Sequence, residues 1–249
     1  EWTVYTTDRR GESERGGEDR RRETIDGVKI RRFRNISHHL AWNNLPAPPG
    51  MARALSSSIE GFDVAHLHAC RTFDGVLVHH YATKHEVPYV IEPRGSVPRL
   101  SGSRRKYVFD LLFGRKMFAD ADRVVAASRV ESAEYSDVFP SVQSDRVAHV
   151  PNGIDLSRYS RTPAESTVVQ SEIRTEEPVI LFLSRLHDRK GADLLIRAFA
   201  ELGEPGTLLI AGPDDGSLPM LRALVDEIGL SSVRFPGPLY GDEKLAVYD

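Results

Sequence analysis

Leu183-Ser184-Arg185-Leu186-His187-Asp188-Arg189-Lys190-Gly191 decides the reading of this chain, because an apolar run at 179–183 enters it and an amphipathic run leaves it. The apolar run reads as a buried strand, and the segment after Gly191 carries apolar residues at helical spacing. The nonapeptide is therefore a turn from the carboxyl end of a strand into the start of a helix. Such a turn offers unpaired amides and the positive end of a helix dipole, to which Arg185 and Lys190 add two full charges. On spacing alone, a phosphate site and a solvated basic turn are equal readings.

Working outward, Leu194, Leu195, Ala198, Phe199 and Leu202 are expected to share one helical face. A strand is predicted at 207–211 and another at 233–235. Between them Leu221, Leu224, Val225 and Ile228 line a helix that stops at Gly229. Upstream, 156–178 is polar and without period. Before it, strands are predicted at 2–6, 28–33, 64–68, 89–92, 123–127 and 147–150, and helices at 51–58, 76–85 and 106–118. A further helix opens at Ser128, whose S-x-x-E spacing with Glu131 lets hydroxyl and carboxylate satisfy each other's first-turn amides. The charge-dense stretch 9–24 reads as a solvated loop, and Asn152-Gly153 as a turn.

Repeated alternation of strand and helix predicts an α/β chain of two doubly wound, Rossmann-like domains. The expected boundaries are 1–155, a crossing at 156–177, and 178–249. Ligands in such folds bind beyond the carboxyl ends of the strands.

The composition removes several function classes. A net charge of -3 over 249 residues gives no global attraction to nucleic acid, so no nucleic-acid partner is expected. A single cysteine, Cys70, excludes an internal disulfide framework and a multi-cysteine zinc site, and fits a reducing compartment such as the cytoplasm. No apolar run is long enough to span a bilayer, while a chain opening at Glu1 leaves an upstream signal or anchor open.

The nonapeptide resembles the G-R-L-x-x-x-K-G that follows the first strand of the second domain in the retaining glycosyltransferases of family four, or group 1. Three more segments resemble that family in the same order. Val150-Pro151-Asn152-Gly153-Ile154-Asp155 is similar to its V-P-N-G-V-D border, and Leu209-Ile210-Ala211-Gly212 and Val233-Arg234-Phe235-Pro236-Gly237 to its later strand ends. Together they cover nearly all of the chain. The resemblance implies a GT-B fold with the second domain incomplete. It also implies, in the intact protein, transfer of a sugar from a nucleotide-diphosphate-sugar to an acceptor hydroxyl with retention, in surface polysaccharide or glycolipid synthesis.

Arg185 and Lys190 would then hold the donor diphosphate, and Gly212, Gly237 and Leu239 the nucleoside, with no cofactor and no metal. The family's first strand and glycine-rich loop would precede Glu1, and its E-x7-E pair would follow Asp249. No catalytic residue is assigned, and the chain alone is expected to be inactive. Two other classes remain: a non-catalytic remnant or binding module of the same fold, and a nucleotide-sugar epimerase.

In the first domain, Asp63-Val64-Ala65-His66-Leu67-His68 is similar to the family's D-v-v-H-x-H strand. The two-residue period puts His66 and His68 on one face at the carboxyl end, as acceptor-side or structural groups. As metal ligands they are two, with no third nearby in sequence. Pro93-Arg94-Gly95 stands where most members carry histidine in place of Arg94. Arginine offers a planar fork of donors and cannot act as a base, so Arg94 is assigned to the acceptor side with the two histidines.

Asp120-Ala121-Asp122 has metal-binding D-x-D spacing, but it precedes a strand and so falls at the amino edge, away from ligand. Asp214-Asp215-Gly216 reads as a solvated turn. Last, Arg104-Arg105-Lys106 and Arg115-Lys116 bracket Tyr107, Val108, Phe109, Leu111, Leu112, Phe113 and Phe118. This basic amphipathic helix either covers the sheet or lies on an anionic bilayer, where it would bring the domain to a lipid-linked acceptor. Bilayer docking requires exposed aromatics, and core packing hides them all.

Overall fold

A computed structural model describes residues 1–8, 22–37, 48–98, 103–159 and 178–248. They form two compact units, Glu1–Gly153 and Ile154–Asp249.

Unit 1 opens with β1 (Thr3–Thr7), β2 (Arg22–Ile25) and β3 (Val28–Phe33). β1 runs parallel to β3, β2 runs antiparallel to it, and the order is β1-β3-β2. The β2–β3 hairpin corrects the expected loop over 9–24, of which residues 9–21 lie outside the described residues. Its turn is Asp26-Gly27, with φ of 49° and 80°, the left-handed pair that a two-residue type I′ hairpin demands. High charge concealed the strand. In the hairpin those charges pair across strands, as Arg32 does with Glu23.

The second sheet of unit 1 holds β4 (Ala65–His68), β5 (Tyr89–Glu92), β6 (Arg123–Ala126) and β7 (Val147–His149), all parallel, in the order β4-β5-β6-β7. Among the described residues, α1 (Pro49–Ser58), α2 (Phe73–Lys84), α3 (Ser103–Phe109), α4 (Arg115–Asp120) and α5 (Arg129–Val138) accompany it. Pro49 starts α1, where its missing N–H costs nothing, and the Thr72 hydroxyl caps α2 by accepting from Gly75 N at 3.2 Å. Met51, Leu55, Ile59, Leu67, Ile91, Met117, Phe118 and Phe139 form the core, with Phe118 stacked on Phe139 at 4.0 Å. Each such side chain contributes about 1.5–3 kcal/mol when taken from water. Asp122 Oδ2 accepts from Tyr89 N at 3.0 Å, so the D-x-D aspartate closes the amino start of β5.

The predicted helix at 106–118 is longer and interrupted. A π turn, Asp110–Gly114, joins α3 to α4 and buries Asp110 against Arg71. Gly114 is required there, since a Cβ would stand 2.9 Å from Asp110 Oδ1. Asn152-Gly153, expected as a turn, carries none.

Unit 2 contains β8 (Val179–Leu183), β9 (Thr207–Ala211) and β10 (Val233–Gly237), all parallel in the order β10-β9-β8, with α6 (Ala192–Glu201), α7 (Leu218–Ile228) and α8 (Gly241–Ala246). Every residue of the central β9 is buried. The inward stripe of α6 is Ala192, Ile196 and Phe199, with Leu195 partly buried, whereas Leu194 and Leu202 are 68% and 69% exposed. The expected leucine face is thus displaced. The segment has more apolar positions than one face can hold, and the sheet takes the stripe centred on Ile196. α7 buries Leu221, Leu224 and Val225 and ends at Gly229 with φ of 82°, as its pattern predicts, while Ile228 of the same expected face is exposed.

Candidate functional site

In unit 2 the ends of all three strands are drawn together. Ser184 N donates to Ala211 O at 3.1 Å, and Gly212 N donates to Gly237 O at 2.9 Å. Gly212 has φ of 150°, and a Cβ on it would lie 1.7 Å from Ser184 O, so only glycine allows this approach. The same Cβ would stand 3.5 Å from Arg185 N, which places Gly212 directly against the nonapeptide. Gly237 is left-handed at φ 91°, and Leu239 is buried.

Leu186 anchors the nonapeptide. It is buried, its amide donates to Pro213 O at 2.9 Å, and it bridges Asp214 in parallel register. On either side of it the chain returns to the surface, and the Arg185 side chain is 61% exposed. A single 3-10 turn, Asp188–Lys190, leads to Gly191 at φ 71°, where α6 begins without a side-chain cap. Exposed Lys190 and the open first-turn amides of α6 thus lie on one short stretch of backbone.

Arg185 Nη1 stands 2.5 Å from Asp215 Oδ2, and Asp214 Oδ1 accepts from Gly216 N and Leu218 N, each at 3.0 Å. The Asp214-Asp215-Gly216 segment is therefore ordered by specific bonds: one aspartate closes the start of α7 and the other steadies Arg185. The exposed Arg185–Asp215 pair is worth about 0–1 kcal/mol, which a phosphate oxygen bonded to the same guanidinium can displace.

In unit 1 the corresponding strand ends carry a second cluster. Parallel register sets His66 beside Val90 and His68 beside Glu92. His66 Nε2 and His68 Nδ1 each lie 3.2 Å from Glu92 Oε2, with the two rings stacked at 4.4 Å, and Arg94 Nε lies 3.1 Å from Glu92 Oε1. All three acceptor-side residues expected from the sequence thus converge on one buried carboxylate that sequence reasoning missed. Glu92 ends an apolar strand, which was a signal, but only the pairing register shows what it faces. Burial, followed by the nearby His68, lowers the His66 pKa despite Glu92, which favours a neutral ring.

Both loops leave these strands in left-handed backbone: Ala69 at φ 68°, Arg94 at 52° and Gly95 at 69°. Non-glycine residues in that region cost about 1–3 kcal/mol each and persist only where neighbours hold them. Ala69 N donates to Glu92 O at 2.9 Å, and Gly95 N donates to Glu131 Oε1 at 2.7 Å.

Glu131 departs from its expected partner. Ser128 Oγ does accept from Glu131 N at 3.1 Å, but the carboxylate takes Ala127 N at 2.8 Å and Gly95 N, which ties α5 to the Arg94 loop. Burial pushes the Glu131 carboxyl up, and the Gly95 and Ala127 amides, with Tyr135 and Arg94, together outweigh it, leaving a pKa below the ordinary value of 4.5. A depressed folded pKa gives stability that is present above the unfolded value and is lost as pH falls through the folded one. Glu131→Gln is therefore expected to cost about 1–3 kcal/mol at pH 7, with the gap to wild type narrowing below pH 4.5. Urea melts from pH 7 down to pH 3 measure it, and a pH-independent gap contradicts it.

With this geometry in place, comparison with known proteins is decisive. Residues 1–153 match the glycosyl transferase 4-like domain, and residues 164–249 match the glycosyl transferases group 1. The chain belongs to the glycosyl transferase 4-like family. D-inositol 3-phosphate glycosyltransferase of Nocardia farcinica is 32% identical over 146 residues, 54% of this chain and 32% of that protein. GDP-mannose-dependent alpha-(1-6)-phosphatidylinositol monomannoside mannosyltransferase of Mycolicibacterium smegmatis is 32% identical over 120 residues, 47% of this chain and 31% of that protein. The chain thus spans about a third of the length of these two relatives. HepE of Anabaena, solved with UDP-glucose, matches at a TM-score of 0.67 and 18% identity over 96% of this chain and 70% of HepE, a likeness of fold. The expected class, α/β of the GT-B glycosyltransferases, is borne out. Among the described residues, no helix of this family member is long and apolar enough to cross a membrane.

Proposed function

We propose that the full-length protein moves a sugar from a nucleotide-diphosphate-sugar to an acceptor hydroxyl with retained anomeric configuration, and that Arg185 and Lys190 hold the diphosphate. The observation that carries this reading is the turn from β8 to α6. Buried Leu186 anchors it, the Arg185 and Lys190 side chains lie exposed along it, and α6 begins beside them with no side-chain cap. As the glycosidic bond to the diphosphate breaks, negative charge grows on the departing oxygens. Fixed donors at that turn stabilise it more strongly than they stabilise the bound donor. The departing phosphate can take the acceptor's proton, so no side-chain base is assigned.

His66, His68 and Arg94 supply the acceptor side in unit 1. The names of the two relatives carry an inositol phosphate and a phosphatidylinositol mannoside. They support a phosphorylated polyol or sugar as acceptor, free or lipid-linked, for which the Arg94 fork is suited. Product analysis with a labelled nucleotide-sugar tests the reading. Label transferred to acceptor with the anomeric configuration kept is the expected result. A donor altered at one stereocentre would identify an epimerase, and an untouched donor a binding module; either overturns the proposal.

A lipid-linked acceptor also gives a role to α3, the π turn and α4. Tyr107, Val108, Leu111, Leu112 and Phe113 are between 40% and 63% exposed, whereas Phe118 is buried and Phe109 partly so. Arg104, Arg105, Arg115 and Lys116 are exposed around them, while Lys106 Nζ is bound to Pro98 O at 3.1 Å. This surface suits an anionic leaflet at the cytoplasmic face, each free cation adding about 1 kcal/mol. Flotation with anionic vesicles at low salt should show binding that is lost when the four exposed cations become glutamine. Absent binding, or binding that survives those changes, removes this helix as the membrane contact.

A further inference from the structure

We propose that His66 Nε2, His68 Nδ1 and Glu92 Oε2 form a three-ligand site for a divalent transition-metal ion such as Zn2+ at the carboxyl edge of β4 and β5. Two-residue spacing along β4 supplies the histidines, and the register of β4 on β5 supplies the carboxylate. The third ligand that the sequence lacked thus comes from the neighbouring strand. All three atoms lie within 4.8 Å of one another.

The distances fit a common ion. Ligand atoms about 2.0–2.1 Å from a tetrahedral metal are separated by about 3.3 Å. Both nitrogen-to-oxygen separations are 3.2 Å. The rings, stacked 27° apart, must turn away from each other for their nitrogen lone pairs to converge on one ion, and at 35% and 55% side-chain exposure they have room to do so. Two imidazoles with one carboxylate suit zinc and its neighbours better than magnesium or calcium, which prefer all-oxygen shells.

Glu92 is oriented for the purpose. Its Oε1 is held by Arg94 Nε, which leaves Oε2 to the histidines, and outer partners of this kind fix the direction of a ligating carboxylate. Without metal, each imidazole can donate its N–H to Oε2. With only three protein ligands and two exposed rings, at least one coordination position faces solvent, the arrangement of an open site. The proposal concerns unit 1 alone and does not depend on the diphosphate assignment in unit 2.

The test uses the tag-free chain, stripped with a chelator. It is titrated with Co2+ while visible absorption is followed, and with Zn2+ against a chromophoric indicator. One equivalent bound at micromolar or lower concentration is expected. His68→Ala, at an exposed ring that the fold can lose, should weaken binding at least tenfold, as should Glu92→Gln. His149→Ala, on β7, should leave it unchanged. No binding at 100-fold higher metal, or equal affinity in folded His68→Ala protein, overturns the proposal.

Discussion

Asp110→Ala is expected to lower the unfolding free energy by about 3–5 kcal/mol, because it leaves a buried guanidinium without its counter-charge. Arg71 Nε and Nη2 reach Asp110 Oδ1 and Oδ2 at 2.7 and 2.8 Å, a bidentate fork, and the guanidinium also donates to Ser96 O and, at 2.8 Å, to Val97 O. The Arg71 and Asp110 side chains are 10% and 1% exposed, so water cannot replace either partner. Arg71 lies just after β4, and Ser96 and Val97 lie just after β5. The pair therefore fixes the two loops that carry Ala69 and Arg94 in left-handed backbone. Arg71→Met with Asp110→Leu should cost much less than the sum of the single changes, since no charge is then stranded. Urea denaturation of Asp110→Ala, the two single variants of the pair and the double variant measures these losses. A single-site loss under about 1 kcal/mol, or strict additivity, contradicts the account.

The sequence was most legible where one pattern dominated. The runs at 28–33, 89–92, 179–183 and 207–211 became strands at those bounds, because apolar residues closed by turn chemistry leave little choice. The place of the nonapeptide as a turn from β8 into α6 was also legible, since its strand, its cations and its helix start are contiguous in the chain. What escaped was long-range. Glu92 facing His66 and His68 depends on register, and Asp110 facing Arg71 depends on a π turn that no local spacing announces. A lone aspartate among Val108, Phe109, Leu111 and Leu112 was a usable hint of a buried partner. The carboxylate of Glu131 shows the same limit. Its local motif placed the Ser128 cap correctly, but tertiary structure offered it the Gly95 amide. The β2 strand was hidden by charge although Asp26-Gly27 announced its hairpin.

The second large effect concerns the donor. Removing one charge-assisted contact costs about 1.5–3 kcal/mol, or about ten- to a hundredfold in affinity. Arg185→Ala frees Asp215 Oδ2 and strips the fork from the turn, and Lys190→Ala removes the cation at the open start of α6. Both side chains are exposed, and the turn is held by buried Leu186 and by Gly212, so neither change should disturb the fold. On the proposed reading both residues hold the same diphosphate, and their losses should together reach at least a hundredfold. The most direct measurement is calorimetric titration of a nucleoside diphosphate into the full-length protein and its Arg185→Ala/Lys190→Ala double variant. The account predicts saturable binding that falls at least a hundredfold in a variant of unchanged melting temperature. Equal affinity in the two proteins would contradict it.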